Sequence, residues 1–459
     1  MGRVPREVAA AGGAAAPARQ DPLAGRVALV FPYVRTHEPT ELLFPPLGLA
    51  ALAAQLHALG IQARVFDCTF STFERLRDEL VAYAPQVVGI SSMVSLTGAA
   101  LRVAEVVRAE LPRSLLVAGG PLPTVFPERF AAHVDVVFRG EADLSFPAFC
   151  RDYLEGGGAR RTLLELDLTG YDGVFTRAGG LAVDTPTVHY PEAVLRTFPI
   201  PFRGDFDHAA YQAAWVRKTG HKPTSLVVAL GCPYACDFCS KPVFGNEVRH
   251  RDLDTVIAEI AGLRAMGYDG LWIADDTFTL DHAHLAEFCR RVSGLGMTWS
   301  CLSRADRVTP QMAALMKEAG CRRVHLGLES GSQRTLELMN KRVSVEDGVH
   351  ATQTYHEAGI EVGAFFMVGY PGETKADIER TFDLALTLPL DDISFNVPMP
   401  LPGSPLYLRL GGRDPGRDWT HENELTFVFP TGIDEAWLRR RVAETMAEFT
   451  RRREARRGA

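Results

Sequence analysis

Short apolar runs separated by helical stretches recur along most of the chain, and this alternation limits its folding options more than any other feature. Val27-Ala-Leu-Val-Phe31, Ala63 to Phe66, Val87-Val-Gly-Ile-Ser91, Leu115-Leu-Val-Ala118 and Val134-Asp-Val-Val-Phe138 each have the length of a buried strand. Between them, Leu49, Leu52, Leu56 and Leu59 recur at helical spacing up to Gly60, and residues 99–111 form a second helical stretch. A run that is apolar at nearly every position is buried on both faces, the condition of a parallel sheet covered by helices. Residues 25–150 therefore predict an α/β domain with a doubly wound, Rossmann-like parallel sheet. Its ligands belong in the crevice beyond the strand C-termini.

The alternation resumes with Ser225-Leu-Val-Val-Ala-Leu230 and continues through residues 270–274, 298–302, 323–328, 361–368 and 392–397. Six strands, each but the last followed by a helical segment, predict a partial (β/α)6, TIM-like barrel over residues 224–410, with reactive groups at its C-terminal rim. Residues 151–223 are rich in turn signals such as Gly156-Gly-Gly158 and Thr185-Pro186 and read as a connector. Asp205, Asp207, His208 and Tyr211 lie in it without an assigned task. Residues 1–24 read as a disordered extension and 411–459 as a C-terminal helical segment, with Trp437, Val442, Met446 and Phe449 on one helix face.

Charge excludes some functions. With 49 basic and 56 acidic residues, net −7, nothing in the balance favours nucleic acid or an anionic membrane as partner. The Arg-rich run 451–457 reads as a solvated helix tail. No stretch has the roughly 18 apolar residues of a membrane span, and residues 1–24 lack the apolar core of a signal peptide. Unpaired cysteines point to the reducing cytoplasm.

Three of the eight cysteines stand together in Cys232-Pro-Tyr-Ala-Cys236-Asp-Phe-Cys239, just after the first barrel strand. Thiolates select zinc or iron–sulfur centres. A structural zinc site takes four ligands in paired knuckles, and no fourth Cys or His lies at knuckle spacing. A four-iron cluster on three thiolates keeps one iron open for a small molecule. Cys68, Cys150, Cys289, Cys301 and Cys321 are scattered and read as small packing residues.

This C-x3-C-x2-C loop, with Phe238 before its third cysteine, resembles the cluster loop of the radical S-adenosylmethionine (SAM) enzymes. The resemblance implies a [4Fe–4S] cluster on Cys232, Cys236 and Cys239. It also implies SAM at the successive strand ends: Asp275 or Asp276 for its ammonium, Arg304 for its carboxylate, Glu329 and Ser330 in the turn Gly327-Leu-Glu-Ser-Gly331, and Met367 and Val368 beside adenine. Period-two alternation puts His325, Gly327 and Glu329 on one face of their strand, opposite Val324, Leu326 and Leu328. Ser394 and Asn396 likewise oppose Ile393, Phe395 and Val397. Polar groups pointing into a barrel need a partner, either a bound cofactor or one another. His325 fits a SAM contact or a satisfied interior residue equally.

The first domain resembles a cobalamin-binding domain. Ser91, Ser92, Met93, Ser95 and Thr97 match its third-strand segment, Gly119, Gly120 and Pro121 its fourth-strand turn, and Gly140 and Glu141 lie at the next strand end. No D-x-H-x-x-G follows the first strand, so His37 is not expected to ligate cobalt. Cys68, Thr69 and Phe70 are the loop residues expected nearest its lower face.

Together the two resemblances imply a cobalamin-dependent radical SAM enzyme. Its cofactors would be the cluster, SAM and methylcobalamin, and its partners an external electron donor such as flavodoxin or ferredoxin and a small-molecule or peptide substrate of natural-product type. The implied reaction is methylation of an unactivated carbon by a monomeric enzyme. A cyclase or rearrangement enzyme would share every motif, and a non-catalytic cobalamin sensor would share the first half alone.

Overall fold

The computed structural model describes residues 25–34, 43–239, 243–412, 427 and 429–458. The expected extension over residues 1–24 and His37 lie outside them. The first domain is a seven-stranded sheet in the order Gln62–Asp67, Arg26–Phe31, Val87–Ser91, Leu115–Gly119, Val136–Phe138, Val174–Thr176, Val183–Asp184. Its first five strands are parallel and the last two antiparallel. Val27 and Leu29 pack into an apolar cluster with Leu49, Leu56 and Phe149. Ala28 and Val30 pack on the opposite face with Leu80, Val103 and Val107. Burial on both faces explains the unbroken apolar runs, and the winding reverses between Arg26–Phe31 and Val87–Ser91, where such sheets open their ligand crevice.

The stretch expected as a connector is more structured than its turn signals suggest. Val174–Thr176 and Val183–Asp184 extend the first sheet, and the remainder ties both domains together. Asp205 accepts from the backbone of Val65 at 2.8 Å, and Tyr211 donates to Asp67 at 2.7 Å. In the other direction, Arg203 reaches Glu259 at 2.8 Å, and a His208 ring nitrogen lies 2.7 Å from the Tyr268 hydroxyl.

The second sheet runs in sequence order, Pro223–Leu226, Gly270–Ile273, Thr298–Ser303, Cys321–Glu329, Glu361–Met367, Asp392–Asn396, all parallel, with no pairing of first to last among the described residues. It is a barrel open on one side. The expected first strand, 225–230, is split. Both oxygens of the Asp275 carboxylate take up the amides of Val228 and Ala229 at 2.7 and 2.8 Å, ending the ladder. Ala229–Leu230 then pairs antiparallel with Arg249–His250. Strand residues Val324 and Leu326 and the helix residues Ile378 and Phe382 share one core with Leu438 and Phe449 of the last helix, Glu435–Gly458. Helices Val345–Glu357 and Lys375–Thr387 each begin with a reciprocal capping box, Ser344 with Asp347 and Thr374 with Asp377; such a cap contributes about 1 kcal/mol. The Arg-rich tail is anchored through Arg452, Arg453 and Arg456, which donate to the carbonyls of Leu386, Asp391, Leu388 and Leu390. Cations are favoured against the free carbonyls that end the helix at Thr387.

Candidate functional site

The cysteine loop is held from the ends of the barrel strands around it. Gly231 turns the chain into it at φ 86°, where a Cβ would stand 2.1 Å from the Glu247 carbonyl, so only glycine fits. Cys232 Sγ lies 3.9 Å from Thr277 Oγ1, beyond the second strand. Arg304, beyond the third, stacks 3.5 Å from the Tyr234 ring centre and brings Nη1 to 3.8 Å from Cys236 Sγ. Asn340 donates to the Ala235 carbonyl at 2.6 Å, and Asp237 N to the Met339 carbonyl at 3.0 Å. Tyr370 and Arg409 both donate to the Asp237 carboxylate. Phe238 packs beside Met339, Tyr370, Leu406 and Met367.

The three loop cysteines form no disulfide and are part-exposed, whereas Cys68, Cys150, Cys289, Cys301 and Cys321 are buried. Burial pushes the Cys68 and Cys289 thiols up to about 12. Among the described residues no three His, Cys, Asp or Glu side chains are grouped as a single-ion site. Three thiolates on one loop suit an iron–sulfur cluster, whereas a structural zinc site takes four ligands.

At the rim, several predicted residues have partners of their own. Asp275, expected to meet an ammonium, is 3% exposed and committed to the two amides named above; burial, only partly opposed by those amides, raises its carboxyl to about 7. Burial also raises the carboxyl of Asp276, which has no hydrogen bond through its side chain among the described residues and stands free at the rim. Arg304, expected on a carboxylate ligand, is held by Asp306 at 2.7 Å and the Lys341 carbonyl at 2.8 Å, because a buried guanidinium needs acceptors on more than one edge. Glu329 adopts left-handed backbone at φ 61° and pairs with Lys341 at 2.8 Å. A Cβ on Gly327 would lie 2.7 Å from that carboxylate and 2.9 Å from the ammonium, so the glycine makes room for the pair. The Ser330 hydroxyl lies 3.0 Å from Thr381 Oγ1, and the Val368 amide donates to the Asn396 carbonyl at 2.9 Å. Met367 packs against the same apolar cluster as Phe238.

In the first domain, the predicted residues gather at the C-terminal ends of the parallel strands. The Ser92 amide donates to the Gly119 carbonyl at 2.9 Å. Gly120 has φ 103°, and a Cβ there would stand 2.7 Å from the Ser92 carbonyl. Met93 is exposed beside them, whereas Thr97 turns its hydroxyl to the Val94 carbonyl at 2.8 Å. Pro121 opens a short helix, and the Gly140 amide donates to Thr124 at 2.9 Å. Backbone laid bare by glycine beside exposed Met93 fits a bulky flat ligand. Glu141 does not join this surface: 4% exposed, it is clamped by Arg249 of the strand pair leading to the cysteine loop. Thr69 is tied to Tyr211 at 2.9 Å, and Phe70 meets the same ring edge-on.

Sequence reading missed Tyr234, Asp237, Lys341, Tyr370 and Arg249. Asp237 lies inside the cysteine motif and Tyr370 two residues beyond Val368, but their pairing joins positions far apart in the chain. Lys341 and Arg249 carried no local signal.

Comparison with known proteins decides the family. Residues 226–385 match the Radical SAM superfamily and residues 39–150 the B12 binding domain. An uncharacterized methyltransferase of Pyrococcus horikoshii is 30% identical over 378 residues, 79% of this chain and 78% of the relative. The chain belongs to the cobalamin-dependent radical SAM family. Membership brings the expected cofactor set: a [4Fe–4S] cluster, SAM and cobalamin. A second member, the anaerobic magnesium-protoporphyrin IX monomethyl ester cyclase of Rubrivivax gelatinosus, is 26% identical, covering 88% of this chain and 74% of the relative. The fold matches that of the radical SAM methyltransferase TsrM from Kitasatospora setae, solved with cobalamin and a [4Fe–4S] cluster, at TM-score 0.72 and 19% identity over 84% of this chain and 78% of that one. No helix among the described residues is long and apolar enough to cross a membrane.

Proposed function

We propose that this family member methylates an unactivated carbon of a small-molecule or peptide substrate. The cluster with SAM supplies radical chemistry and cobalamin supplies the methyl group. The observation that carries this reading is the clamp between Glu141 and Arg249, which joins the strand ends of the cobalamin domain to the strand pair that enters the cysteine loop.

Cys232, Cys236 and Cys239 hold the cluster. Asp276 receives the SAM ammonium as a charge-assisted contact, while Asp275 positions the loop by fixing the amides of Val228 and Ala229. Arg304 sets a positive charge against the Cys236 sulfur, favouring the more negative, reduced state of the centre. Phe238, Met367 and Val368 give an apolar wall, and the Glu329–Lys341 pair with Ser330 closes the polar side. Ser91, Ser92, Met93, Ser95, Thr97 and the turn Gly119-Gly120-Pro121 with Gly140 form the cobalamin surface.

The test is anaerobic turnover of extracted metabolites with SAM deuterated in its methyl group. Methyl transfer predicts a labelled product and S-adenosylhomocysteine beside 5′-deoxyadenosine. Formation of 5′-deoxyadenosine alone, with an unlabelled product, would reject methylation in favour of cyclisation or rearrangement.

A further inference from the structure

Below the rim, the barrel interior contains a cavity of about 400 Å³ that none of the cofactor assignments uses. Its lining draws on all six strands and includes the first residues of four, Pro223, Gly270, Thr298 and Asp392, so it lies at the N-terminal end of the barrel, opposite the rim. Aromatic rings dominate its walls. Phe44 stacks on Trp215 at 5.1 Å and on Trp272 at 6.4 Å. His325 stacks on Phe365 at 5.6 Å and meets Trp272 edge-on at 5.0 Å. Rings from the first domain, the connector and three barrel strands thus converge on one space, and flat faces favour a flat occupant.

The same space holds polar groups that the protein leaves unpaired. The indole N–H of Trp272, the hydroxyl of Ser300 and both ring nitrogens of His325, all on its lining, have no hydrogen-bond partner among the described residues. Burial, with the Arg323 charge second, lowers the His325 pKa to about 4, so the neutral ring presents one donor and one acceptor. Trp272, Ser300 and His325 are part-exposed and line the cavity, so these groups are available to an occupant. Gly363 keeps His325 in place, since a Cβ there would lie 2.7 Å from Nδ1. On its inward face, the strand climbs from His325 through Gly327 to Glu329 at the rim, a rise of about 13 Å. The lining carries Lys218, Arg322, Arg323 and Arg453 beside Asp391 and Asp392, so both signs of charge surround the aromatic walls.

We propose that this cavity binds a planar aromatic or heteroaromatic ring with a hydrogen-bonding edge, at a site separate from the reacting centre at the rim. The volume falls in the range of about 300–1,000 Å³ usual for small-molecule sites. The probes are indole and cyclohexanol, a flat ring with an N–H and a puckered one with a hydroxyl, followed by ligand-detected NMR on the full-length, cofactor-loaded protein. Indole should bind at least about tenfold more tightly than cyclohexanol. Ser300→Phe, which fills the cavity, and His325→Leu, which removes its donor and acceptor, should each weaken indole about tenfold while iron content and corrinoid absorbance hold. Equal binding of the two probes, or indole binding unchanged in both variants, would overturn the proposal. Indole binding as expected in a protein that takes up no corrinoid would instead refute the cobalamin reading and leave this site standing.

Discussion

Replacing Arg249 with Met should be among the most damaging single changes in the chain. Its guanidinium donates to both Glu141 oxygens, to the Tyr190 carbonyl at 2.8 Å and to the Phe244 carbonyl at 2.8 Å, and the two side chains are only 5% and 4% exposed. The variant would leave a buried carboxylate without its counter-charge and two carbonyls without donors. Removing one partner of such a pair costs about 3–5 kcal/mol. Adding Glu141→Gln should recover about half of that, because a neutral amide can still accept from Tyr190 N, which now bonds the carboxylate at 2.9 Å. Urea unfolding followed by far-ultraviolet circular dichroism would measure both. An Arg249→Met cost below about 1 kcal/mol, or a double variant no more stable than the single, would refute the reasoning. Such a result would place the pair in solvent and remove the link between the cobalamin domain and the cluster loop.

Other outcomes follow from the same geometry. Gly120→Ala should weaken cobalamin retention after desalting about tenfold or more, because its Cβ would meet the Ser92 carbonyl at 2.7 Å in backbone that costs a non-glycine residue about 1–3 kcal/mol. Asp275→Asn should lower the melting temperature and the iron bound after reconstitution, since a carboxamide turns an N–H₂ toward the amide of Val228 or Ala229 at a cost of about 1–3 kcal/mol. The folded-state pKa of His325, about 4, lies below its unfolded value, so the unfolded chain binds the extra proton first. Its contribution is present above about pH 6.5 and lost as pH falls toward 4, and His325→Leu should flatten that part of a stability-versus-pH curve by on the order of 2–3 kcal/mol.

Much of this architecture is written locally. Val27 to Phe31 reads as a strand buried on both sides because its successive residues enter two different apolar clusters, and the three cysteines advertise their chemistry by spacing alone. What escaped was settled by partners distant in sequence. Nothing near Glu141 announces Arg249, so a carboxylate at a strand end looked like a cofactor contact. Asp275 and Arg304 stand where ligand-holding residues belong, yet the structure engages them with the amides of Val228 and Ala229, with Asp306 and with the Lys341 carbonyl. The strand expected to run to Leu230 ends at Leu226 because a side chain, not the neighbouring strand, captures its amides. Val174–Thr176 and Val183–Asp184 were too short and too mixed in polarity to signal themselves, and antiparallel edge strands need no longer run. His325 was correctly placed facing inward, but its choice between cofactor and interior depended on Phe365 and Trp272, which only the fold brings beside it.

The most direct measurement is metal, sulfide and corrinoid content after anaerobic reconstitution of the wild type and of a Cys232→Ala, Cys236→Ala, Cys239→Ala triple variant. The account predicts about four iron atoms with sulfide and one bound corrinoid in the wild type, with the iron lost and the corrinoid kept in the variant. Zinc in place of iron, or iron and sulfide retained without the three thiolates, would contradict it.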